Sequence, residues 1–224
     1  MRGPHGARAM PELVFQVRGA EAVGWAASPA IALNLEISST PPEQAIQTVV
    51  LNCQIQIEAA RRSYATAEQS RLRDLFAEPE RWEQTLRSLL WTNLTATVPG
   101  FSGSIETKLP IPCTLDLNVA VAKYFHAIDG GSVPITLLFS GTVFYRNSGN
   151  QLQAAPIPWS SEARFALPVH LWRECIDLHH PNTAWLGLRR DNFERLYEFK
   201  VRHGLATFDE AIERMLSSPR EADA

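Results

Sequence analysis

The sequence predicts an α+β fold, an antiparallel β-sheet or β-sandwich with a helical insertion and a helical C-terminal segment. Three patterns indicate this fold. Apolar and polar residues alternate with period two through much of the first two-thirds of the chain, which is typical of strands with one solvated face. The period becomes helical over residues 66–90, and it is helical again from Pro168 onward.

The first strands are predicted from three runs near the N-terminal end. Residues 13–17 form a short apolar run, and residues 31–38 and 49–58 alternate without interruption. A turn containing Pro41 and Pro42 joins the second run to the third. Two alternating strands joined in this way are typical of an antiparallel pair, so we predict that they are neighbours in one sheet.

Residues 66–90 are predicted to form two short amphipathic helices. Thr66 and Gln69 have the spacing of a capping box at the start of the first helix. Pro79 interrupts the pattern, and apolar residues at helical spacing then continue to Leu90. The insertion is therefore predicted to end where the strand pattern returns at Trp91.

Further strands are predicted in the middle of the chain. Residues 115–121 alternate, and the run VPITLLFSGTVFY after the Asp129-Gly130-Gly131 turn is apolar enough for a strand buried on both faces. The segment QLQAAPIPW carries two prolines, which are characteristic of an edge strand. Short strands at this spacing favour a sandwich or a curled antiparallel sheet.

The C-terminal segment is predicted to be helical. Phe193, Leu196, Tyr197 and Val201 share one helical face, and Gly204 follows in the position of a C-cap. A second helix is predicted to start with a capping box, in which Thr207 is followed by Glu210.

These patterns predict one composite domain. Residues 1–11 are predicted to be a disordered arm and residues 218–224 a polar tail. The domain between them, residues 12–217, is mainly β over 12–160 with the insertion at 66–90, and helical over 168–217.

Composition excludes several classes of function. The chain of 224 residues is 45% hydrophobic and 20% charged with a net charge of −3, and its arginines are interleaved with acids. Nucleic-acid binding is disfavoured because it normally requires a basic face. No window approaches the roughly 18 apolar residues of a membrane-spanning helix. The N-terminal residues lack the apolar region of a signal peptide, and the three cysteines are far apart, so we predict a cytoplasmic protein with reduced thiols.

Familiar catalytic and cofactor motifs are absent from the sequence. It contains no glycine-rich nucleotide loop, no H-E-x-x-H zinc helix and no C-x-x-C pair. In the segment GFSG the second glycine directly follows the serine, whereas a nucleophile elbow requires a glycine two residues after the serine. We therefore predict no cofactor and a protein that is not an enzyme.

One stretch, VHLWRECIDLHHPN, concentrates potential metal ligands. On a helix that begins after Pro168, Cys175 and His179 share one face, and a metal site would add His170 or His180. The alternative is helix packing, with a buried cysteine and with histidines at the helix C-terminus. Packing is favoured because the sequence contains no second cluster that would complete four ligands. Metal binding or metal delivery remains the rival functional hypothesis.

An interaction surface is predicted beside this stretch. Trp185 is followed by Arg189 and Arg190, and tryptophan and arginine anchor many protein interfaces. The competing interpretation, which is favoured because large aromatic side chains are mostly buried, is that Trp172 and Trp185 cover the seam between the sheet and the helices.

Three segments, LRSLLWTNLTATVPGF, VPITLLFSGTVFY and NTAWLGLRRDNFERLYEFKVRHGLATFDEAIERML, carry a resemblance. They resemble an uncharacterised bacterial protein family whose members are often encoded beside genes for actinobacterial-type, high-affinity NiFe uptake hydrogenases. The resemblance implies an accessory protein that assists the assembly or maturation of a hydrogenase, with hydrogenase subunits or maturation factors as partners. It supplies no catalytic residues.

Overall fold

The computed structural model describes residues 10–114, 119–184 and 186–217. Within these ranges the protein contains eight strands and six α-helices, which confirms the α+β prediction. The strands are β1 Glu12–Ala22, β2 Ala30–Thr40, β3 Ile46–Ile57, β4 Leu89–Phe101, β5 Ser104–Pro112, β6 Ser132–Arg146, β7 Leu152–Pro156 and β8 Glu162–Pro168. The helices are α1 Thr66–Phe76, α2 Trp82–Thr85, α3 Val119–Ala127, α4 Val169–His179, α5 Arg190–Arg202 and α6 Phe208–Ser217.

The chain divides into two compact units between Thr183 and Ala184. The first unit contains the strands and α1 to α4, and the second contains α5 and α6. The prediction of one composite domain over 12–217 stays a prediction. The predicted arm, apart from Met10 and Pro11, and the predicted tail lie outside the described residues.

The eight strands form two antiparallel sheets. The small sheet has the order β1-β2-β5, and the large sheet has the order β4-β3-β6-β7 with β8 also paired to β6. The inner faces of the two sheets share one hydrophobic core, in which Phe15 of β1 stacks on Phe139 of β6 with ring centroids 4.2 Å apart. The sheets therefore form a β-sandwich.

The predicted pairing of the second strand with the third is wrong. β2 pairs with β1 and β5, whereas β3 pairs with β4 and β6 in the other sheet. Both strands direct fully buried side chains into the same core, for example Leu35 from β2 and Leu51 from β3. Alternation identifies the buried face of each strand but not its neighbours. The same alternating pattern arises when two strands lie side by side in one sheet and when they face each other across a core.

β6 is the longest strand and pairs with different neighbours along its length. Its first half pairs with β8 and its second half with β7. Gly141 lies between the two halves with φ +132°, and a Cβ at this position would lie 2.0 Å from the carbonyl oxygen of Val50 in β3. Only glycine permits this approach and this conformation. The strand was predicted, but burial on both faces is wrong for Ser140, which is exposed.

Four local features differ from the predictions. Leu89 and Leu90 begin β4 and do not extend the helical insertion. The predicted strand over 115–121 lies partly outside the described residues, and Val119 and Val121 belong to helix α3. β8 was not predicted. The proposed capping box is also wrong, because it is the Glu68 carboxylate that accepts the N–H of Ala65 at 2.9 Å.

A buried ion pair attaches the helical insertion to the turn after α3. Arg62 donates to Glu68 at 2.9 Å and to the carbonyl of Gly130 at 2.8 Å, while Glu68 also accepts the N–H of Asp129 at 2.8 Å. The two side chains are only 12% and 6% exposed. Since Glu68 accepts three hydrogen bonds, its charge is well compensated in this environment.

Helix α4 contacts β1, β2 and β8, so it bridges the two sheets. Its Trp172 is buried and stacks on Phe125 of α3 with centroids 5.2 Å apart, and Phe125 also contacts Trp91 of β4. For Trp172, the predicted position at the seam between sheet and helices is confirmed. None of the helices in the described ranges is long and apolar enough to span a membrane.

We expect Gly141→Ala to lower the free energy of unfolding by about 3 kcal/mol or more, because the new Cβ would meet the backbone of Val50. Urea denaturation followed by circular dichroism measures the change. Gly130→Ala is the matched control, since nothing lies within 4 Å of a Cβ at that position, and it should change stability by less than about 1 kcal/mol. Equal stabilities of the two variants would contradict the role given to Gly141.

We expect Glu68→Gln to destabilise the protein by about 3–5 kcal/mol, because Arg62 would keep its buried charge without a counterion. Glu78→Gln provides the control, since its ion pair with Arg73 joins two half-exposed side chains at 3.0 Å. The control should cost less than about 1 kcal/mol. Chemical denaturation of both variants beside the parent protein tests the difference, and a Glu68→Gln variant as stable as the control would be evidence against the anchoring role.

Candidate functional site

The predicted ligand stretch forms helix α4, which begins after Pro168 as expected. Trp172, Cys175 and Ile176 are buried on one face of the helix. His179 ends the helix on the same face. The prediction that Cys175 and His179 share one face of this helix is therefore confirmed, and the face packs into the protein interior.

Both ring nitrogens of His179 face backbone oxygens. Nδ1 lies 3.1 Å from the carbonyl oxygen of Cys175, and Nε2 lies 3.0 Å from the carbonyl oxygen of Ala26 in the turn between β1 and β2. A metal ion binds a bare nitrogen lone pair. Metal binding at His179 would therefore break one of these two contacts, of which the contact with Ala26 ties the end of α4 to the small sheet.

The other predicted ligands lie apart from this nitrogen pair. His170 is exposed near the start of α4, and His180 is half-buried just beyond the end of the helix. Among the described residues, no group of three or more histidine, cysteine, aspartate or glutamate side chains is arranged to hold a metal ion. The metal hypothesis stays a prediction, and these positions give it no added support.

Cys175 has a partner that the sequence did not indicate. Its thiol interacts with the thiol of Cys113, which directly follows β5 and donates to the carbonyl oxygen of Ile111 at 3.5 Å, and both cysteines are buried. The interaction between the two thiols is the main reason why the pKa of Cys113 is raised and the pKa of Cys175 is lowered. Since Cys175 is fully buried, this lowered pKa does not produce an accessible nucleophile.

Of the predicted interaction surface, Trp185 lies outside the described residues. Arg189 is exposed and donates to Asp191 at 3.1 Å, beside the N-terminus of α5. Arg190 is the first residue of α5 and is also exposed. Both arginines therefore lie where a partner could reach them.

Helices α5 and α6 form a helical hairpin with contacts between aromatic rings. Phe193 and Tyr197 of α5 lie 5.4 Å and 6.4 Å from Phe208 of α6, measured between ring centroids. The turn matches the prediction, with Gly204 at φ +65° and the N–H of Glu210 bound to Thr207 Oγ1 at 3.1 Å. The hairpin and the segment before it expose seven large apolar side chains, namely Leu186, Leu188, Phe193, Tyr197, Val201, Met215 and Leu216.

Two strongly exposed tryptophans were not singled out from the sequence. Trp25 in the β1–β2 turn is 89% exposed, and Trp159 in the β7–β8 turn is 91% exposed. Each lies next to a turn-forming residue, Gly24 or Pro158. That proximity is the only sequence signal that distinguishes them from the buried Trp91 and Trp172.

We expect Cys175→Ser to lower the free energy of unfolding by about 1–3 kcal/mol, because a hydroxyl is costlier to bury than a thiol. Metal content should not change after the protein is incubated with zinc and gel-filtered. Cys175→Ala is the control, since it removes the thiol without burying a hydroxyl. Metal analysis and urea denaturation check both points. The metal hypothesis would be supported if the parent protein bound zinc stoichiometrically and both Cys175→Ser and His179→Gln abolished this binding.

Comparison with known proteins identifies no protein from which a function could be inferred. No curated protein matches the chain. A crystal structure assigned to the ApaA protein of Bordetella pertussis is 13% identical over 70% of this chain and 93% of its own, with a TM-score of 0.26. β-Glucosidase 3B of Thermotoga neapolitana is 12% identical over 70% of this chain and 17% of its own, with a TM-score of 0.25. Likenesses at this level are too weak to indicate a shared fold or function.

The family assignment rests on a match that covers almost the whole chain. A family model described as a family of unknown function, DUF6084, matches residues 10–224. The protein belongs to the DUF6084 family.

Proposed function

We propose that this protein is a non-enzymatic accessory protein that binds a protein partner through its helical hairpin. The observation that carries the proposal is the set of exposed apolar side chains on α5, α6 and the segment before them. Contiguous exposed apolar surface is uncommon on soluble domains and marks sites of interaction.

The spacing of these side chains supports a docking surface. Phe193, Tyr197 and Val201 recur every four residues on α5 and are 45%, 52% and 59% exposed. Residues at this spacing lie on one side of a helix. An amphipathic helix that presents such a stripe is a common recognition element, in which the apolar side chains enter a groove of the partner.

The small size of the second unit also supports the proposal. Two short helices bury little surface, and a chain shorter than about 40 residues usually needs further contacts to be stable. Within the described part of the hairpin, Ala211 is the only residue that is fully buried. Covering the apolar side chains would therefore stabilise the hairpin as well as the complex.

Polar groups beside the apolar side chains would add specificity. Arg189 and Arg190 lie at the start of α5, and Arg189 is 77% exposed despite its contact with Asp191. Arginine with tyrosine is enriched among the residues that dominate interface energies. Charges at the rim mainly affect partner choice and association rate.

Hydrogenase subunits or their maturation factors are the proposed partners. The support is the resemblance of three segments to a family encoded beside NiFe uptake hydrogenases, because one of these segments contains all of the hairpin except its last residue. A cytoplasmic location belongs to the same proposal and agrees with three free, buried cysteines.

Affinity purification of the tagged full-length chain from its native host, with the hydrogenase expressed, tests the function. We expect mass spectrometry to recover hydrogenase subunits or maturation factors above an untagged control. Tyr197→Asp and Val201→Asp should each reduce that recovery at least about tenfold, because each places a charge in the apolar contact.

Asn192→Asp is the matched control, since it adds the same charge to α5 at an exposed position away from the stripe. It should leave recovery unchanged, and all three variants should keep the circular dichroism spectrum of the parent protein. Recovery of no hydrogenase component would refute the proposed partners. Recovery that is the same for Val201→Asp and for the parent protein would refute the proposed surface.

A further inference from the structure

A shallow pocket of about 420 Å³ lies on the large sheet, at strands β3, β4 and β6 and the turn that carries Trp159. We call it the outer-face pocket. The neighbouring residues Cys53 and Phe139 point into the core. The residues directly before and after each of them on its strand therefore point away from the core and into the pocket.

The strand register arranges the polar side chains of the outer-face pocket in rows. Asn52 of β3 lies between Thr95 of β4 and Ser140 of β6, and in the next row Gln54 lies between Asn93 and Leu138. Amide and hydroxyl groups from three strands are thus placed side by side on a rigid surface.

Two hydrogen bonds orient the amides. Thr95 Oγ1 donates to Asn52 Oδ1 at 3.0 Å, and Gln56 Nε2 donates to Gln54 Oε1 at 3.1 Å. With their oxygens occupied in this way, Asn52 and Gln54 present their NH₂ groups as donors. Asn93 and Ser140 add groups that both donate and accept.

The chemistry of the lining is uncharged. None of the ten lining residues is an aspartate, glutamate, lysine, arginine or histidine. The nearest charges in the register, Glu162 and Arg164 of β8, pair with each other at 2.8 Å. Phosphates and carboxylates are normally bound by cationic groups, and divalent cations by carboxylates. The lining therefore suits a neutral ligand rich in hydrogen-bonding groups.

The turn that carries Trp159 is anchored at the edge of this pocket. The turn is fixed to β6 on both sides, because the N–H of Ile157 donates to Gly141 at 2.9 Å and the N–H of Phe139 donates to Ser161 at 2.9 Å. The indole is nevertheless 91% exposed. A fixed turn that presents a bare indole beside oriented amides is a preorganised site, which lowers the entropic cost of binding.

We propose that the outer-face pocket binds a neutral saccharide. The flat C–H face of a pyranose ring would stack on Trp159, and its hydroxyls, which both donate and accept, would bind the amides of Asn52, Gln54 and Asn93. The pocket volume lies within the range of about 300–1,000 Å³ of small-molecule sites. Neutral hydrogen bonds are individually weak, so binding is expected in the micromolar to millimolar range. This site lies in the first unit and is independent of the proposed hairpin surface.

Titration of the full-length, ¹⁵N-labelled protein with cellohexaose, xylohexaose, maltohexaose and chitohexaose tests the proposal by NMR. We expect at least one of these sugars to saturate, with shifts of the Trp159 indole N–H and of the Asn52 and Gln54 side-chain amides. Trp159→Ala should weaken that binding about tenfold or more. Asn52→Asp should also weaken it, since it replaces the donor NH₂ by an acceptor of the same shape.

Trp25→Ala is the matched control, because it removes an equally exposed indole from a turn of the small sheet. It should leave affinity unchanged within about twofold. The proposal is overturned if none of the four sugars saturates below about 10 mM, which corresponds to negligible affinity. It is equally overturned if binding survives Trp159→Ala or is lost in Trp25→Ala.

Discussion

The first unit depends on one constraint: two sheets must bury their inner faces against each other. The contact of Phe15 with Phe139 marks where they meet, and fully buried side chains of β2 and β3 fill the space around it. Because side chains alternate along a strand, the same constraint decides what the outer faces carry. The polar rows of the outer-face pocket and the apolar residues of the core are thus alternate positions of the same strands. A shift of the strand register by one residue would exchange the two sets and disrupt both.

Gly141 connects the core to the surface in a second way. Its close approach to Val50 of β3 lies where the pairing of β6 changes from β8 to β7. Both of those strands lie on the edge of β6 that faces away from β3, so the connection between them runs along that edge, and the carbonyl of Gly141 accepts a hydrogen bond from the N–H of Ile157 in that connection. Trp159 is presented two residues later. The hydrogen bond between Gly141 and Ile157 thus helps to position the turn that carries Trp159, the most exposed tryptophan among the described residues.

Local patterns in the sequence were sufficient to predict most of the elements, but not their partners. Alternation identified β2 and β3 and the buried face of each, yet it could not tell neighbours from opposed strands. At Val119 and Val121 the apolar spacing fitted a strand, whereas Phe125, four residues after Val121, completes a helical face. The packed face of α4 was predicted from its periodicity. The thiol contact of Cys175 with Cys113 joins positions far apart in sequence, and no local pattern encodes it.

Among the described residues, the ionisable groups whose pKa values are shifted belong to buried or half-buried side chains. Within the described ranges, every resolved pKa shift belongs to a cysteine or to one of two tyrosines, Tyr64 and Tyr124. Burial is the main cause of the raised pKa of both tyrosines, and their hydroxyls bond to each other at 2.8 Å. Cys53 lies at the outer-face pocket, but its thiol points into the core, and burial raises its pKa to about 12. The two surfaces proposed for binding differ in chemistry, since the hairpin surface is apolar and the outer-face pocket is polar but uncharged.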